Sequence, residues 1–261
     1  MTVKLKGITL PDTLTYPKLQ DFQLFSVMED TPIKTGLVGS YFVGSKNADP
    51  NHNFANPALP LLTKLNPDIS DSRFALLSAL TGYFDTQIPS SSKQSFVAIV
   101  RVPSATSAIL ANYTKDTPTT SSGDVAAINI NTDATKTLGY YVQTSSIGTS
   151  PVTRSLNDFS AGDFAVVGGV ISSNLTVSAW TMSETTGPAA STSGAFTQHI
   201  TNGRTLRIGA TYLDNQFTGK IGISSLVLYN QDIGSAGMVQ VMNWMRNTVG
   251  VQAGIWNAPK S

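Results

Sequence analysis

Hydrolysis of a glycosidic bond needs two carboxyl groups at a set separation, about 5 Å for retention and wider for inversion. This chain is poorly equipped for that. Its only glutamates are Glu29 and Glu184, both outside the candidate strands, and no Asp/Glu-x-Asp/Glu triplet occurs. The remaining acidic residues are aspartates, mostly in candidate loops. The two histidines, His52 and His199, have neither a second histidine nor a carboxylate at metal-ligand spacing, and surface positions are the expectation for both. No Gly-x-Ser-x-Gly elbow is present. A proton-abstracting lyase would need a His or Tyr base beside an arginine, and no such cluster is evident. A non-enzymatic protein is the expectation, with glycoside hydrolase or lyase as the exception.

Sugar recognition asks for different groups, namely aromatic platforms beside amides and hydroxyls. Tyr113, Tyr140, Tyr141, Trp180 and Tyr212 lie near candidate strand ends or loops and are the candidate ligand contacts. Each has a competing reading as an ordinary core aromatic of a β-protein. Composition favours a neutral, hydrogen-bonding partner: charged residues are 13% of the chain and the formal net charge is +1. No Lys/Arg cluster marks a nucleic-acid footprint. There is no cysteine, so disulfides and thiolate metal sites are excluded. The N-terminus has no apolar run of the signal-peptide kind, and no stretch is long enough to insert in a membrane.

The elements that must hold these side chains read as strands. Leu37–Val43 is the first, followed by an irregular, proline-rich stretch over 44–72. Further candidates are Arg73–Leu77, Gly82–Ile88, Ser95–Val102, Ala108–Tyr113, Val125–Ile130, Thr137–Gln143, Asp163–Ile171, Asn174–Met182, Thr205–Thr211 and Lys220–Tyr229. Short strands joined by Ser/Thr/Gly-rich turns, with no alternating helices, predict an all-β antiparallel sandwich. In the last strand Ile221, Ile223, Ser225, Val227 and Tyr229 alternate with Gly222, Ser224, Leu226 and Leu228, which predicts one face on the core. Met238, Val241, Met242, Met245 and Val249 recur at helical spacing, predicting one amphipathic helix over 235–248, with Ser235 as N-cap and Gly250 just past its end.

The order of these segments resembles the laminin-G/concanavalin A-like lectin superfamily, in the form found in phage tail and bacterial surface-binding proteins. The closing block carries most of the likeness: Leu206-Arg207-Ile208-Gly209, then Phe217-Thr218-Gly219-Lys220-Ile221, then Val227-Leu228-Tyr229-Asn230 and a helix. Ser95–Val100 and Phe164–Val170 resemble two of the family's inner strands, and Gly36–Phe42 its opening strand. The resemblance implies a concanavalin A-like jelly roll with one C-terminal helix. It also implies calcium as a cofactor to consider, with Asp214 and Asn215 as the best candidate ligands, although the chain shows no dense acidic cluster and the expectation is no cofactor.

The organisation that follows is a leader over 1–35, a sandwich over 36–250 and a tail over 251–261. Phe22, Leu24 and Phe25 make the leader too apolar for a solvated linker, so it is expected to pack on a neighbour. The functional expectation is a virion component, with cell-surface glycan, other virion proteins or copies of itself as partners. The alternative is a bacterial carbohydrate-binding or adhesion module. Nucleic acid is not expected as a partner.

Overall fold

In a computed structural model the residues described are 27–117, 120–145 and 149–258. Alternating apolar positions on its strands build two facing antiparallel sheets of seven strands each. The front sheet orders β1 (Leu37–Phe42), β16 (Ile221–Tyr229), β5 (Gln94–Arg101), β12 (Phe164–Ile171), β13 (Val177–Met182) and β14 (Ala189–Thr192), with β3 (Ala75–Leu77) also paired to β16. The back sheet orders β11 (Thr149–Ser155), β10 (Lys136–Gln143), β9 (Val125–Ile130), β6 (Ser107–Ala111), β15 (Thr205–Ile208), β4 (Gly82–Pro89) and β2 (Leu62–Leu65). A hairpin of β7 (Thr114–Thr117) and β8 (Thr120–Ser122) stands apart. This is the all-β sandwich that the strand pattern predicts.

Between the sheets, Phe84, Phe96, Ile109, Ile128, Tyr140, Val167 and Leu228 belong to one continuous apolar core. The outer face of the front sheet is covered as well. There Val97, Ile99, Val166, Val227 and Tyr229 pack under Met238, Val241, Met242, Met245 and Val249 of the C-terminal helix. Strands buried on both faces lose simple alternation. In β16 the alternation also changes phase: a bulge between Ile223 and Ser225 turns Leu226 and Leu228 inward, beside Ile221 and Ile223, and sends Val227 and Tyr229 to the helix. The alternation predicted from sequence, with Val227 and Tyr229 on the same face as Ile221, is corrected by that bulge.

Strands β2, β11 and β14, like the β7–β8 hairpin, fall outside the predicted set. All three lie at sheet edges and are short or polar: Leu62–Leu65 is mostly exposed, Thr149–Ser155 contains Pro151, and Ala189–Thr192 is half-buried. Edge strands protected in this way carry little of the pattern that marks a buried strand.

The helix also departs from its predicted bounds. α1 (Gly234–Trp244) starts at Ile233 without a side-chain cap, so Ser235 lies inside its first turn. A π-helical segment, Met245–Val249, continues it, followed by one more α-turn over Gly250–Gln252. Gly250 is therefore helical rather than terminal; the residue in the left-handed region is Gly254, at φ 77°. Beyond it Trp256 is buried in the outer cluster, as is Met28 at the other end of the described chain. Segments assigned to the leader and tail thus contribute to the sandwich. Phe22, Leu24 and Phe25 lie outside the described residues. Among the described residues no helix is long and apolar enough to cross a membrane.

Candidate functional site

The structure divides the five candidate aromatics among three places. Tyr140 points into the core, where its ring meets Phe96 edge-on at 5.5 Å. Burial, with the charge of Asp124, pushes its hydroxyl well above the usual range, and that hydroxyl accepts a hydrogen bond from Gln94 Nε2 at 3.3 Å. Tyr140 is therefore corrected from ligand contact to core residue; Tyr141, one position on, takes the opposite face of β10.

Tyr113, Tyr141 and Tyr212 lie on the outside of the back sheet. Tyr113 and Phe217 cover the small side chains of Ala108, Ala111, Val125 and Ala127. The guanidinium of Arg207 lies 3.4 Å from the centroid of the Tyr212 ring, while the Tyr212 hydroxyl donates to the Thr205 carbonyl at 3.1 Å. These rings are largely engaged by their own neighbours. Trp180, on β13, faces the other way, into a small depression beside the start of α1.

One residue read as a surface group is buried. The His199 side chain is 1% exposed and that of Asp124 is 2% exposed. Its Nε2 lies 3.0 Å from Asp124 Oδ2 and its Nδ1 lies 3.1 Å from the Ser92 carbonyl. Both partners are acceptors, an arrangement satisfied in full only when both ring nitrogens carry a proton. Burial opposes that charge, but the Asp124 carboxylate and the Ser92 carbonyl outweigh it and hold the imidazole above its ordinary value. Asp124 also accepts the Gln143 amide at 2.9 Å, and its own amide donates to Asn112 Oδ1 at 2.7 Å. The pair pins the β14–β15 loop to the end of the back sheet. No local sequence signal could have revealed it, because the partners meet only through the fold.

The larger concavity lies elsewhere, at the end of the sandwich where three connections meet the chain after the helix. It encloses about 690 Å³. Phe164 opens β12 and meets the Trp256 ring edge-on at 6.4 Å, giving the cleft an aromatic wall. Arg73, from the β2–β3 connection, stands at its mouth with its side chain 41% exposed. Its guanidinium lies 5.6 Å from the Phe164 centroid, within cation–π reach. Nε and Nη2 of Arg73 bind Asp71 at 3.1 and 3.0 Å, a two-point pair that leaves Nη1 available among the described residues. The hydrogen bonds from Arg73 hold the Asp71 carboxyl below its ordinary range.

The far wall is the β13–β14 turn. Ser183 Oγ accepts the amides of Thr185 and Thr186 at 3.1 and 2.9 Å, fixing a hydroxyl-rich turn. Glu184, in the same turn, lies 3.6 Å from Arg246 Nη2. Arg246 comes from the π-helical segment and stacks 5.0 Å from the Trp256 centroid, with its Nη1 donating to the Asn257 carbonyl at 3.4 Å. The widened turn thus supplies the arginine that ties turn, tryptophan and chain end together, a common use of π-bulges. Asp158 and Asp163, from the β11–β12 connection, complete the polar lining. Sequence reasoning placed none of these residues in a site, because they come from three separate connections and the chain after the helix.

Asp214 and Asn215 are exposed in the loop after β15, and among the described residues no group of three or more His, Asp or Glu side chains gathers as a metal site.

No protein-family model and no curated protein sequence matches the chain. Solved structures do. The binding domain of Paraclostridial Mosquitocidal Protein 1 aligns at TM-score 0.56 and 11% identity, over 83% of this chain and 52% of that one. The binding domain of Botulinum Neurotoxin DC in complex with SialylT aligns at 0.52 and 10%, over 81% and 51%. Trypanosoma rangeli sialidase in complex with 2,3-difluoro-KDN aligns at 0.52 and 13%, over 82% and 33%. The chain spans a third to about half the length of these proteins. At such identities the likeness is one of fold.

Proposed function

We propose that this chain is a non-enzymatic glycan-binding module and that the end cleft holds the glycan. The observation that carries this reading is the cleft itself. Phe164 and Trp256 offer apolar ring surface, Ser183, Thr185 and Thr186 offer hydroxyls, and Arg73 offers a free donor, the mixture a polyhydroxylated ring requires. The neurotoxin binding domain whose fold this chain shares was solved with SialylT bound, which supports the same class of ligand.

A glycan array probed with the wild-type chain and with Arg73→Ala tests it. Losing a charged hydrogen bond should weaken binding roughly ten- to hundredfold. Leu80→Ser, on an exposed position outside the cleft lining, should bind as wild type. Binding that survives Arg73→Ala undiminished would remove the cleft from consideration.

The carboxylates of Asp158, Asp163 and Glu184 favour a second reading, a glycoside hydrolase. We rank it lower because Asp158, Asp163 and Glu184 are all exposed and Glu184 faces a guanidinium. A general acid needs apolar walls that keep it protonated near neutrality. Glycans retained on the array without released reducing ends support the binding reading. Release abolished by Asp158→Asn, Asp163→Asn or Glu184→Gln supports the hydrolase.

The setting we propose, from the family resemblance alone, is a phage tail or other virion that meets a host-cell glycan. Residues 1–26 would then join the chain to other virion proteins or to its own copies. A chain lacking residues 1–26 should keep its Tm and lose assembly. If it unfolds instead, the attachment role is wrong.

A further inference from the structure

The helix that covers the front sheet does not cover all of it. Its Met238, Met242 and Met245 pack over β5 and β12 in one cluster with Trp180 and Met182 of β13, and beside its first turn Trp180 keeps 8% of its surface exposed. The uncovered corner is a depression of about 220 Å³. Trp180 lines one side of it, and the β12–β13 turn and the start of α1 supply the others.

Its walls are fixed before any ligand arrives. Trp180 Nε1 donates to Ser178 Oγ at 2.8 Å, so the indole plane is set by its own strand. Ser172 Oγ lies 2.8 Å from Thr176 Oγ1 and accepts the Asn174 amide at 3.2 Å, which orders the turn around Leu175 at φ 55°. Asp232 fastens that turn to the helix: Oδ2 accepts the Ser173 amide at 3.1 Å and Oδ1 accepts the Gly234 amide at 2.8 Å. The lining contains Asp232, Asn174 and several Ser and Thr hydroxyls, and no Lys, Arg or His. Acceptors and hydroxyls beside an indole suit a neutral polyol, and the carboxylate disfavours an anion. The volume is below the 300–1,000 Å³ or so of sites for drug-sized ligands, which leaves room for one small ring.

We propose that this corner is a second subsite, separate from the end cleft, that takes a single neutral sugar unit. It extends the glycan-binding reading but shares no lining residue with the cleft, so the two can fail independently.

The test follows the indole N–H resonances of the full chain by NMR while free galactose, glucose and N-acetylglucosamine are added at millimolar concentrations, with free sialic acid as the anionic control. Trp180→Phe identifies the Trp180 signal among the three tryptophans. The expected result is a saturable shift of that signal with at least one neutral sugar and a weaker response to sialic acid. Ser235→Phe, at an exposed position on the rim, should plug the corner and abolish the shift; Asn174→Ala, a milder change, should weaken it roughly three- to tenfold. Arg73→Ala should leave it unchanged. No shift with any neutral sugar, an equal shift with sialic acid, or a shift that survives Ser235→Phe in a folded chain would each overturn the subsite. Loss of the shift in Arg73→Ala would show one site rather than two. Array binding that depends on Arg73 without a Trp180 shift sinks only the subsite; the reverse sinks only the cleft.

Discussion

His199 and Asp124 give the most definite consequence at the scale of single residues. Because the folded state holds the imidazole above its ordinary pKa, it binds the proton more tightly than the unfolded chain does. The stabilisation is fully present below about pH 6.5, the unfolded value, and is lost as the pH rises through the raised folded value. Thermal unfolding followed from pH 6 to 9 should show Tm falling across that range, and His199→Gln should flatten the profile. A wild-type profile as flat as the mutant's would mean the pair is not charged. Gly169 sets a second expectation: a Cβ there would lie 2.5 Å from the Tyr140 ring and 2.6 Å from Phe96. Gly169→Ala should therefore cost about 1–3 kcal/mol, the usual penalty of overpacking, measured by denaturant unfolding. Tyr229 works in the opposite sense. Its hydroxyl is buried without a hydrogen-bond partner among the described residues, and burial pushes its pKa up. Tyr229→Phe should be neutral or stabilising by about 1 kcal/mol.

At the scale of elements, the parts legible in the sequence are those where one physical effect dominates. Strands β5, β12 and β16 are long apolar runs because both their faces are covered, and the Met238–Val249 stripe has a single period that the π-helical segment only slightly displaces. The illegible parts lack such dominance. Polar edges β2, β11 and β14 owe their strand geometry to a partner on one side. The bulge at Ser224–Ser225 leaves no mark in composition, yet it decides which of Leu226 and Val227 enters the core. The candidate site behaves similarly: the aromatics stood out by type, but whether Tyr140 or Tyr141 faces inward depends on register, which a one-residue shift would invert. Arg73, Glu184 and Trp256 meet only after the sheets have packed. Deleting Ser224, the extra residue of the bulge, should restore plain alternation with Leu226 and Leu228 still inward opposite Ala98, so the chain should keep cooperative unfolding as followed by circular dichroism; its loss would mean that the bulge itself is required.

At the scale of the whole molecule, low charge shapes how a ligand is met. With a formal net charge of +1 and hydroxyl-rich concavities, binding should depend little on ionic strength. A polyanion held by several contacts would instead lose about 10³–10⁵ in affinity between 50 and 200 mM salt. Array binding repeated at those two salt concentrations separates the cases, and a steep loss would argue against a neutral glycan.

The central position of β16 bears on how the protein is made. It lies between β1 and β5, and Tyr229 pairs with Leu37. Roughly 190 residues separate those partners, so a ribosome adding about 5–20 residues per second needs some 10–40 s to supply the second once the first is out. For most of that interval the growing chain carries β1 and the apolar flank of β5 without the strand that joins them. A message truncated before the Ile221 codon yields no half-sandwich, only exposed edges for chaperones and proteases, and any slowing of translation late in the gene lengthens the same exposure.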